Sequence, residues 1–168
     1  MLERRLINFA GAGACLGMFA FALYTQYVGG LEPCPLCIFQ RITVVALGVV
    51  FLAAGIHHPR RRGAWGYVAL IALVALTTIG IAARHVYIQS QPAGTVAACG
   101  APLNVLLQMF HPWQVVVKVL HAGGECALIN WTFLGLSMPA WVLFCALILG
   151  GVGVIANIPR RPPALRMR

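Results

Sequence analysis

Four long stretches of apolar residues most constrain how this chain can fold. They cover approximately residues 6–28, 38–56, 64–83 and 138–158, and each is close to the roughly 20 residues that a helix needs to cross a bilayer. Hydrophobic residues make up 61% of the chain and charged residues only 9%, which excludes an ordinary water-soluble domain. The sequence therefore predicts an all-α membrane protein, in which residues 1–168 form a single bundle of four transmembrane helices.

The basic residues predict the orientation of this bundle. The net charge is +9, and nine of the twelve Lys and Arg residues fall into three clusters: Arg4 and Arg5; Arg60, Arg61 and Arg62; Arg160, Arg161, Arg166 and Arg168. With four spans the three clusters share one side of the membrane, which the positive-inside rule makes cytoplasmic. Both termini are then expected in the cytoplasm, and a short loop (29–37) and a long loop (84–136) on the outer side. Nucleic acid is not expected as a partner, because the charge is explained by topology.

The long outer loop contains two apolar patterns with the period of a helix. Both follow the spacing i, i+3, i+4, i+7: Leu103, Leu106, Leu107 and Phe110, then Trp113, Val116, Val117 and Leu120. We expect two short amphipathic helices that meet at Pro112. Such helices either lie in the membrane interface or cover the end of the bundle, and the pattern favours neither.

Four of the six cysteines lie in the two outer loops. They are Cys34 and Cys37 in the first loop, and Cys99 and Cys126 in the second. Disulfides persist there if the outer compartment is oxidising. Four cysteines allow three pairings, among which the sequence does not choose, although one disulfide per loop is the simplest. Cys15 and Cys145 lie within predicted spans, where a cysteine usually behaves as a small apolar residue.

The Cys34-Pro35-Leu36-Cys37 segment indicates redox chemistry rather than a structural crosslink. Closing so short a loop adds little stability, whereas Cys-x-x-Cys is a spacing in which redox potential is commonly tuned. Cys37 would lie at the positive end of the second helix dipole, and Arg41 would follow one turn later on the same face. Because an arginine inside a span is costly unless it is paired or functional, Arg41 is a candidate functional residue.

Two other interpretations of the cysteines remain. A disulfide between Cys99 and Cys126 could simply stabilise its loop, by about 3 kcal/mol for a loop of about 28 residues. All four loop cysteines could instead bind zinc. Structural zinc sites usually use two closely spaced pairs, however, and Cys99 and Cys126 are far apart in the chain. No metal is therefore expected.

Two segments resemble a known family. They are Cys34-Pro35-Leu36-Cys37-Ile38-Phe39-Gln40-Arg41 and Trp131-Thr132-Phe133-Leu134-Gly135-Leu136-Ser137-Met138-Pro139-Ala140-Trp141, which accompany four spans and the order of the loop cysteines. They resemble the disulfide bond formation protein B (DsbB) family of thiol oxidases in the bacterial inner membrane. The resemblance implies an enzyme that reoxidises a DsbA-like, thioredoxin-fold dithiol protein in the periplasm. It also implies that ubiquinone or menaquinone, dissolved in the membrane lipid, accepts the electrons.

The resemblance further implies a role for each loop cysteine. Cys99 would form a mixed disulfide with the DsbA-like partner and free Cys126. Cys126 would then bond to Cys34 and displace Cys37, which would pass the electrons to the quinone. By the same resemblance, the four cysteines are catalytic.

The quinone site and two departures from the family also follow from the resemblance. Arg41 and His85 match residues near the quinone ring, so Cys37, Arg41 and His85 are the expected quinone-binding residues. Gln40 occupies a position that is often acidic in the family, which leaves a proton relay from there in doubt. Pro35 replaces a more usual aliphatic residue and is expected to change the redox potential of the pair.

A structural protein is the main alternative to this enzyme. A four-span interaction protein with purely structural disulfides would react slowly with a dithiol and would not depend on quinone. Electron flow in the opposite direction, as in vitamin K epoxide reductase, fits less well. In that family the loop pair precedes the Cys-x-x-Cys motif, whereas here Cys34 and Cys37 come first.

The cysteine assignment predicts which substitutions abolish activity. Serine at any of Cys34, Cys37, Cys99 or Cys126 should abolish turnover with a reduced dithiol partner, because the relay needs the sulfur atom of each of these residues. Cys15→Ala and Cys145→Ala should still turn over. Steady-state oxidation of the partner measures this, and full turnover by Cys99→Ser would refute the relay.

Overall fold

Four long helices form the body of the protein. A computed structural model describes residues 2–57, 59, 61–91, 105, 108–121, 125–129 and 131–159. The long helices are α1 (Leu2–Tyr27), α2 (Pro35–His57), α3 (Arg61–Gln89) and α5 (Met138–Asn157), and a shorter helix, α4 (Pro112–His121), precedes the last. Each long helix is apolar and long enough to cross a membrane. The predicted four-helix membrane fold is therefore confirmed.

The second and third helices extend beyond the predicted spans. Helix α2 begins at Pro35, whose fixed φ suits the first helical position, so Cys37 already lies within the helix. Helix α3 continues to Gln89, which places His85 inside it rather than at the start of the outer loop. The prediction ended this span at residue 83 because polar residues follow. Ile88 is only 1% exposed, however, and its apolar packing continues the helix past them.

The helices pack in sequence, with α1 along α2, α2 along α3, and α3 along α5. The core includes Phe51, Leu47 and Ile71, all buried. Helix α5 approaches this core closely because it presents glycine. A Cβ at Gly153 would lie 2.6 Å from the Phe51 ring, and one at Gly150 would lie 2.7 Å from the Ala75 Cβ. Small residues are the usual means of close helix contact in membranes.

Helix α4 covers one end of the bundle, but not with the predicted face. Val115 and Val119 are buried against Leu36 and Ile88, whereas Trp113 is 74% exposed. The predicted face was wrong because several valines make this helix apolar around much of its circumference, so more than one set of residues fits the helical period. The other predicted amphipathic helix lies mostly outside the described residues.

A short β-hairpin interrupts the otherwise helical fold. Strands β1 (Thr132–Phe133) and β2 (Leu136–Ser137) pair antiparallel just before α5. The turn residues Leu134 and Gly135 have φ of 52° and 79°, and such tight hairpin turns require positive φ at both positions. Leucine rarely adopts this conformation, so the turn lacks the Asn-Gly or Asp-Gly signal by which sequence reveals hairpins. The prediction of a purely helical fold missed this element.

A pair of buried asparagines joins the first and last long helices. Asn8 Nδ2 donates to Asn157 Oδ1 at 3.1 Å, and Asn157 Nδ2 donates to Asn8 Oδ1 at 2.8 Å. Both side chains are fully buried. At the same end, Arg4 Nη2 donates to the carbonyl oxygen of Pro59 at 2.6 Å. The start of α1, the end of α5 and the α2–α3 connection therefore lie at one end of the bundle.

This pair predicts a coupled effect on stability. Asn8→Leu should lower the free energy of unfolding by about 1–2 kcal/mol, because it leaves the buried amide of Asn157 with fewer partners. The double variant Asn8→Leu/Asn157→Leu should lose less than the sum of the two single variants. Denaturation in detergent micelles measures this. Strictly additive losses would contradict a direct interaction.

Candidate active site

The two cysteines of the first loop meet at the beginning of α2. Cys34 directly precedes the helix, and its thiol donates to Cys37 Sγ at 2.9 Å. The backbone N–H of Cys37 donates to Cys34 Sγ at 3.3 Å. The first N–H groups of a helix have no partner within it, so the Cys34 sulfur satisfies one of them. The helix start thus holds the two sulfur atoms within reach of each other.

Cys126 from the long outer loop lies against this pair. It belongs to a 3₁₀ turn (Glu125–Ala127), is 3% exposed, and packs in one apolar cluster with Leu36 and Ile88. Its side chain hydrogen-bonds with Cys34. Hydrogen bonding to Cys126 and Cys37, together with burial, raises the pKa of the Cys34 thiol above its ordinary value. The structure thus brings three of the four predicted relay cysteines together, and Cys99 lies outside the described residues.

His85 on α3 lies between Cys34 and Cys126. Its Nε2 is 3.7 Å from Cys34 Sγ and 3.2 Å from the carbonyl oxygen of Cys126. On the other side of the ring, Gln40 Nε2 donates to His85 Nδ1 at 3.4 Å. His85 and Gln40 are 2% and 4% exposed. Sequence reasoning identified His85, but as a quinone contact rather than as a neighbour of two cysteines.

Three side chains of this cluster offer atoms suitable for a soft metal ion. The ligand atoms of Cys34, Cys37 and His85 all lie within 4.8 Å of one another. This set differs from the four-cysteine zinc site considered from the sequence. The two sulfur atoms are also those that a disulfide relay would use, and the expectation of no metal remains a prediction.

Arg41 reaches from α2 to α1. Its Nη1 donates to Gln26 Oε1, and its Nη2 donates to the carbonyl oxygen of Ala22 at 2.8 Å. These contacts hold the guanidinium group in place, and Arg41 itself lies about one helical turn after Cys37. Sequence reasoning missed Gln26, although a single polar amide near the end of an apolar span was a signal that could have been used.

Two cavities share Cys37 and Arg41 in their linings. The larger, about 480 Å³, is apolar except near Cys37, Gln40 and Arg41. The smaller, about 330 Å³, is more polar and is lined by Cys34 and His85 as well as by Cys37 and Arg41. His85 is not in the described lining of the larger cavity. Cys37 and Arg41 therefore border both cavities.

Aromatic rings form one wall of the larger cavity. Trp131 lies edge-on to Phe21, with ring centroids 5.6 Å apart, and stacks on Phe133 at 6.1 Å. Trp141 packs on Phe133 at 6.0 Å and donates its Nε1–H to the Phe133 carbonyl oxygen at 3.0 Å. The hairpin and the residues on either side of it thus supply an aromatic surface, and Trp131, Phe133 and Trp141 belong to the second segment singled out in the sequence.

The raised pKa of Cys34 predicts how the reduced protein reacts with iodoacetamide. Because the folded-state pKa of Cys34 lies above that of a free thiol, less thiolate forms at any given pH. The alkylation rate of Cys34 should be low at neutral pH and should continue to rise above pH 9. In the unfolded protein it should level off near the pKa of a free thiol, about 8.5. Peptide-resolved mass spectrometry measures both rates, and a plateau below pH 8 in the folded protein would contradict this geometry.

The chain is similar in sequence to proteins of one known family. The family described as "Disulfide bond formation protein DsbB" matches residues 4–156. A protein named "Disulfide bond formation protein B" from Methylococcus capsulatus is 48% identical over 141 residues, which cover 84% of this chain and 86% of the relative. A second protein of that name, from Nitrosococcus oceani, is 44% identical over 153 residues, covering 91% and 90%. A third, from Chromobacterium violaceum, is 47% identical over 131 residues, covering 78% and 79%. This chain therefore belongs to the DsbB family of disulfide-forming membrane oxidoreductases with redox-active cysteines.

Proposed function

We propose that this protein oxidises the paired thiols of a DsbA-like, thioredoxin-fold protein in the bacterial periplasm and passes the electrons to a membrane quinone. One observation carries the proposal. Cys37 borders both the polar cavity that contains Cys34 and the apolar cavity between α1, α2 and α5. A sulfur in this position can exchange with another cysteine on one side and react with an apolar electron acceptor on the other.

The first half of the proposed reaction is a series of thiol–disulfide exchanges. A thiolate of the partner attacks Cys99 in a Cys99–Cys126 disulfide, forming a mixed disulfide and releasing Cys126 as a thiolate. Cys126 then attacks Cys34 of the Cys34–Cys37 disulfide, and the breaking bond leaves its electron pair on Cys37. The contact between Cys126 and Cys34 supports this order. The second thiol of the partner displaces Cys99 from the mixed disulfide, and the Cys99 thiolate then attacks Cys126, which restores the Cys99–Cys126 disulfide and leaves Cys34 and Cys37 reduced. Each exchange forms one S–S bond as another breaks.

The larger cavity suits a quinone. Its volume of about 480 Å³ lies within the range of small-molecule sites, and its apolar aromatic wall could contact a flat ring and the start of an isoprenoid tail. Polar groups are confined to the end near Cys37, where Gln40 and Arg41 could bind a ring oxygen. A bound quinone accepts two electrons and two protons. In this role Cys37 would supply the electron pair as its sulfur re-forms the disulfide with Cys34, and the Arg41 guanidinium, held by Gln26 and Ala22, would stabilise negative charge beside it.

We also infer the orientation in the bacterial inner membrane. The chain ends of the bundle and the α2–α3 connection lie at one end, and these segments adjoin the three arginine clusters. The positive-inside rule makes this end cytoplasmic. Cys34, Cys37 and Cys126 lie at the opposite end, which is then periplasmic and accessible to a soluble oxidase.

An anaerobic assay tests the proposal. The purified protein is mixed with a reduced DsbA-like dithiol and with ubiquinone or menaquinone, and quinone absorbance is followed. Quinone loss that matches dithiol oxidation, and that is absent with Cys37→Ser, is the expected result. If folded protein reduces neither quinone, the structural interpretation of the loop disulfides gains support instead.

The same assay tests the role assigned to Arg41. Gln26→Leu should raise the KM for quinone about tenfold and change kcat less, because the guanidinium group loses the contact that positions it while its charge remains. Gln114→Leu makes the same chemical change on the exposed side of α4 and serves as the matched control. An unchanged KM in Gln26→Leu would show that this contact does not position Arg41 for quinone.

A further inference from the structure

One ring nitrogen lies between the two groups of cysteines. His85 Nε2 is within hydrogen-bonding distance of the carbonyl oxygen of Cys126, at 3.2 Å, and of the sulfur of Cys34, at 3.7 Å. These two residues come from different parts of the chain, one before α2 and the other in the 3₁₀ turn of the long loop. Among the residues that the structure describes, the His85 side chain thus contacts both Cys34 and Cys126.

The partners of His85 determine which nitrogen carries the hydrogen. The amide nitrogen of Gln40 can only donate, so the His85 Nδ1 that it contacts at 3.4 Å must accept. The carbonyl oxygen of Cys126 can only accept, so Nε2 must donate. Both contacts therefore require the same neutral ring, with its hydrogen on Nε2. This N–H points to the Cys126 carbonyl and also lies close to the Cys34 sulfur.

Burial gives these contacts their importance. Gln40, His85 and Cys126 are 4%, 2% and 3% exposed, so water has little access to replace a lost partner. A buried carbonyl that loses its donor is destabilised, and the turn that contains Cys126 would then be free to move away from Cys34. Packing of Cys126 with Leu36 and Ile88 also holds the turn but has no directional requirement.

From this geometry we infer that Gln40 and His85 are positioning residues, which hold Cys126 against Cys34 for disulfide exchange between the two cysteine pairs. The inference rests on the proposed function, because it concerns the exchange step of that relay. In this step the Cys126 thiolate bonds to Cys34 Sγ while the Cys34–Cys37 bond breaks onto Cys37. The Nε2–H of His85 fixes the backbone of the attacking residue. This role differs from the quinone contact expected for His85 from the sequence.

A simplified chain tests the inference without quinone or partner protein. Cys15, Cys37, Cys99 and Cys145 are replaced by alanine, so that Cys34 and Cys126 are the remaining thiols. Equilibrium with a glutathione redox buffer then gives the effective concentration of one thiol at the other. His85→Leu should lower this value about tenfold, which corresponds to about 1.4 kcal/mol. His85→Gln, whose amide can place an N–H near the Nε2 position, should restore it to within about threefold.

A change at Gln40 separates positioning from simple packing. Gln40→Glu keeps the shape but replaces the donor with an acceptor, which favours a hydrogen on Nδ1. At a pH where the ring is neutral, a lone pair of Nε2 then faces the Cys126 carbonyl. The effective concentration should fall several-fold. Gln114→Glu makes the same change on the exposed side of α4 and should leave it unchanged.

Nitrogen NMR of ¹⁵N-histidine-labelled protein provides a direct second measurement. The chain has five histidines, and the His85 signals are assigned by their loss in His85→Gln. The expected spectrum shows hydrogen on Nε2 in the unsubstituted protein and a changed protonation pattern in Gln40→Glu. Hydrogen on Nδ1 in the unsubstituted protein would overturn the inference, and so would an effective concentration in folded His85→Leu within twofold of the reference.

These outcomes are independent of the proposed electron acceptor. If His85→Leu does not fold, the NMR spectrum and the Gln40→Glu measurement decide the question. A protein that fails to reduce quinone but shows these effects would refute the proposed function and leave the positioning role intact. A protein that reduces quinone but shows neither effect would support the proposed function and refute the positioning role.

Discussion

Polar side chains inside this bundle must find their partners within the protein, because the hydrocarbon core of a membrane offers none. Three contacts show how the chain meets this constraint. Asn8 and Asn157 pair with each other at one end of the bundle. At the other end, Arg41 bonds to α1, and Gln40 bonds to His85. Each contact joins two helices, so the polar groups also determine how the helices are arranged.

The candidate active site follows from the same constraint. The first N–H groups of a helix need acceptors from outside it, and the Cys34 sulfur provides one for α2. The sulfur atoms are thereby held at a helix start beside the polar groups of the bundle. Gln40 and the Cys126 carbonyl give each ring nitrogen of the buried His85 a hydrogen-bond partner. Burial and reactivity therefore depend on the same few hydrogen bonds.

Features set by local composition could be predicted from the sequence, and features set by contacts between distant segments could not. The four spans follow from length and hydrophobicity, and Cys34 and Cys37 from their spacing. The contact of Cys126 with Cys34 depends on the path of a long loop, which no local pattern specifies. The end of α3 was predicted too early because the apolar contacts of Ile88 outweigh the polar residues before it. The asparagine pair was missed because a buried amide is recognised by its partner, which lies far away in the sequence.

Because Cys37 and Arg41 border both cavities, a molecule in either cavity can contact them. The space around Cys34 is polar, whereas the space between α1, α2 and α5 is apolar. In the proposed reaction, a donor that dissolves in water and an acceptor that dissolves in lipid never need to meet. The donor can stay in water and the acceptor in lipid, because the Cys37 side chain borders both cavities. The proposed reaction then joins two solvents at one residue.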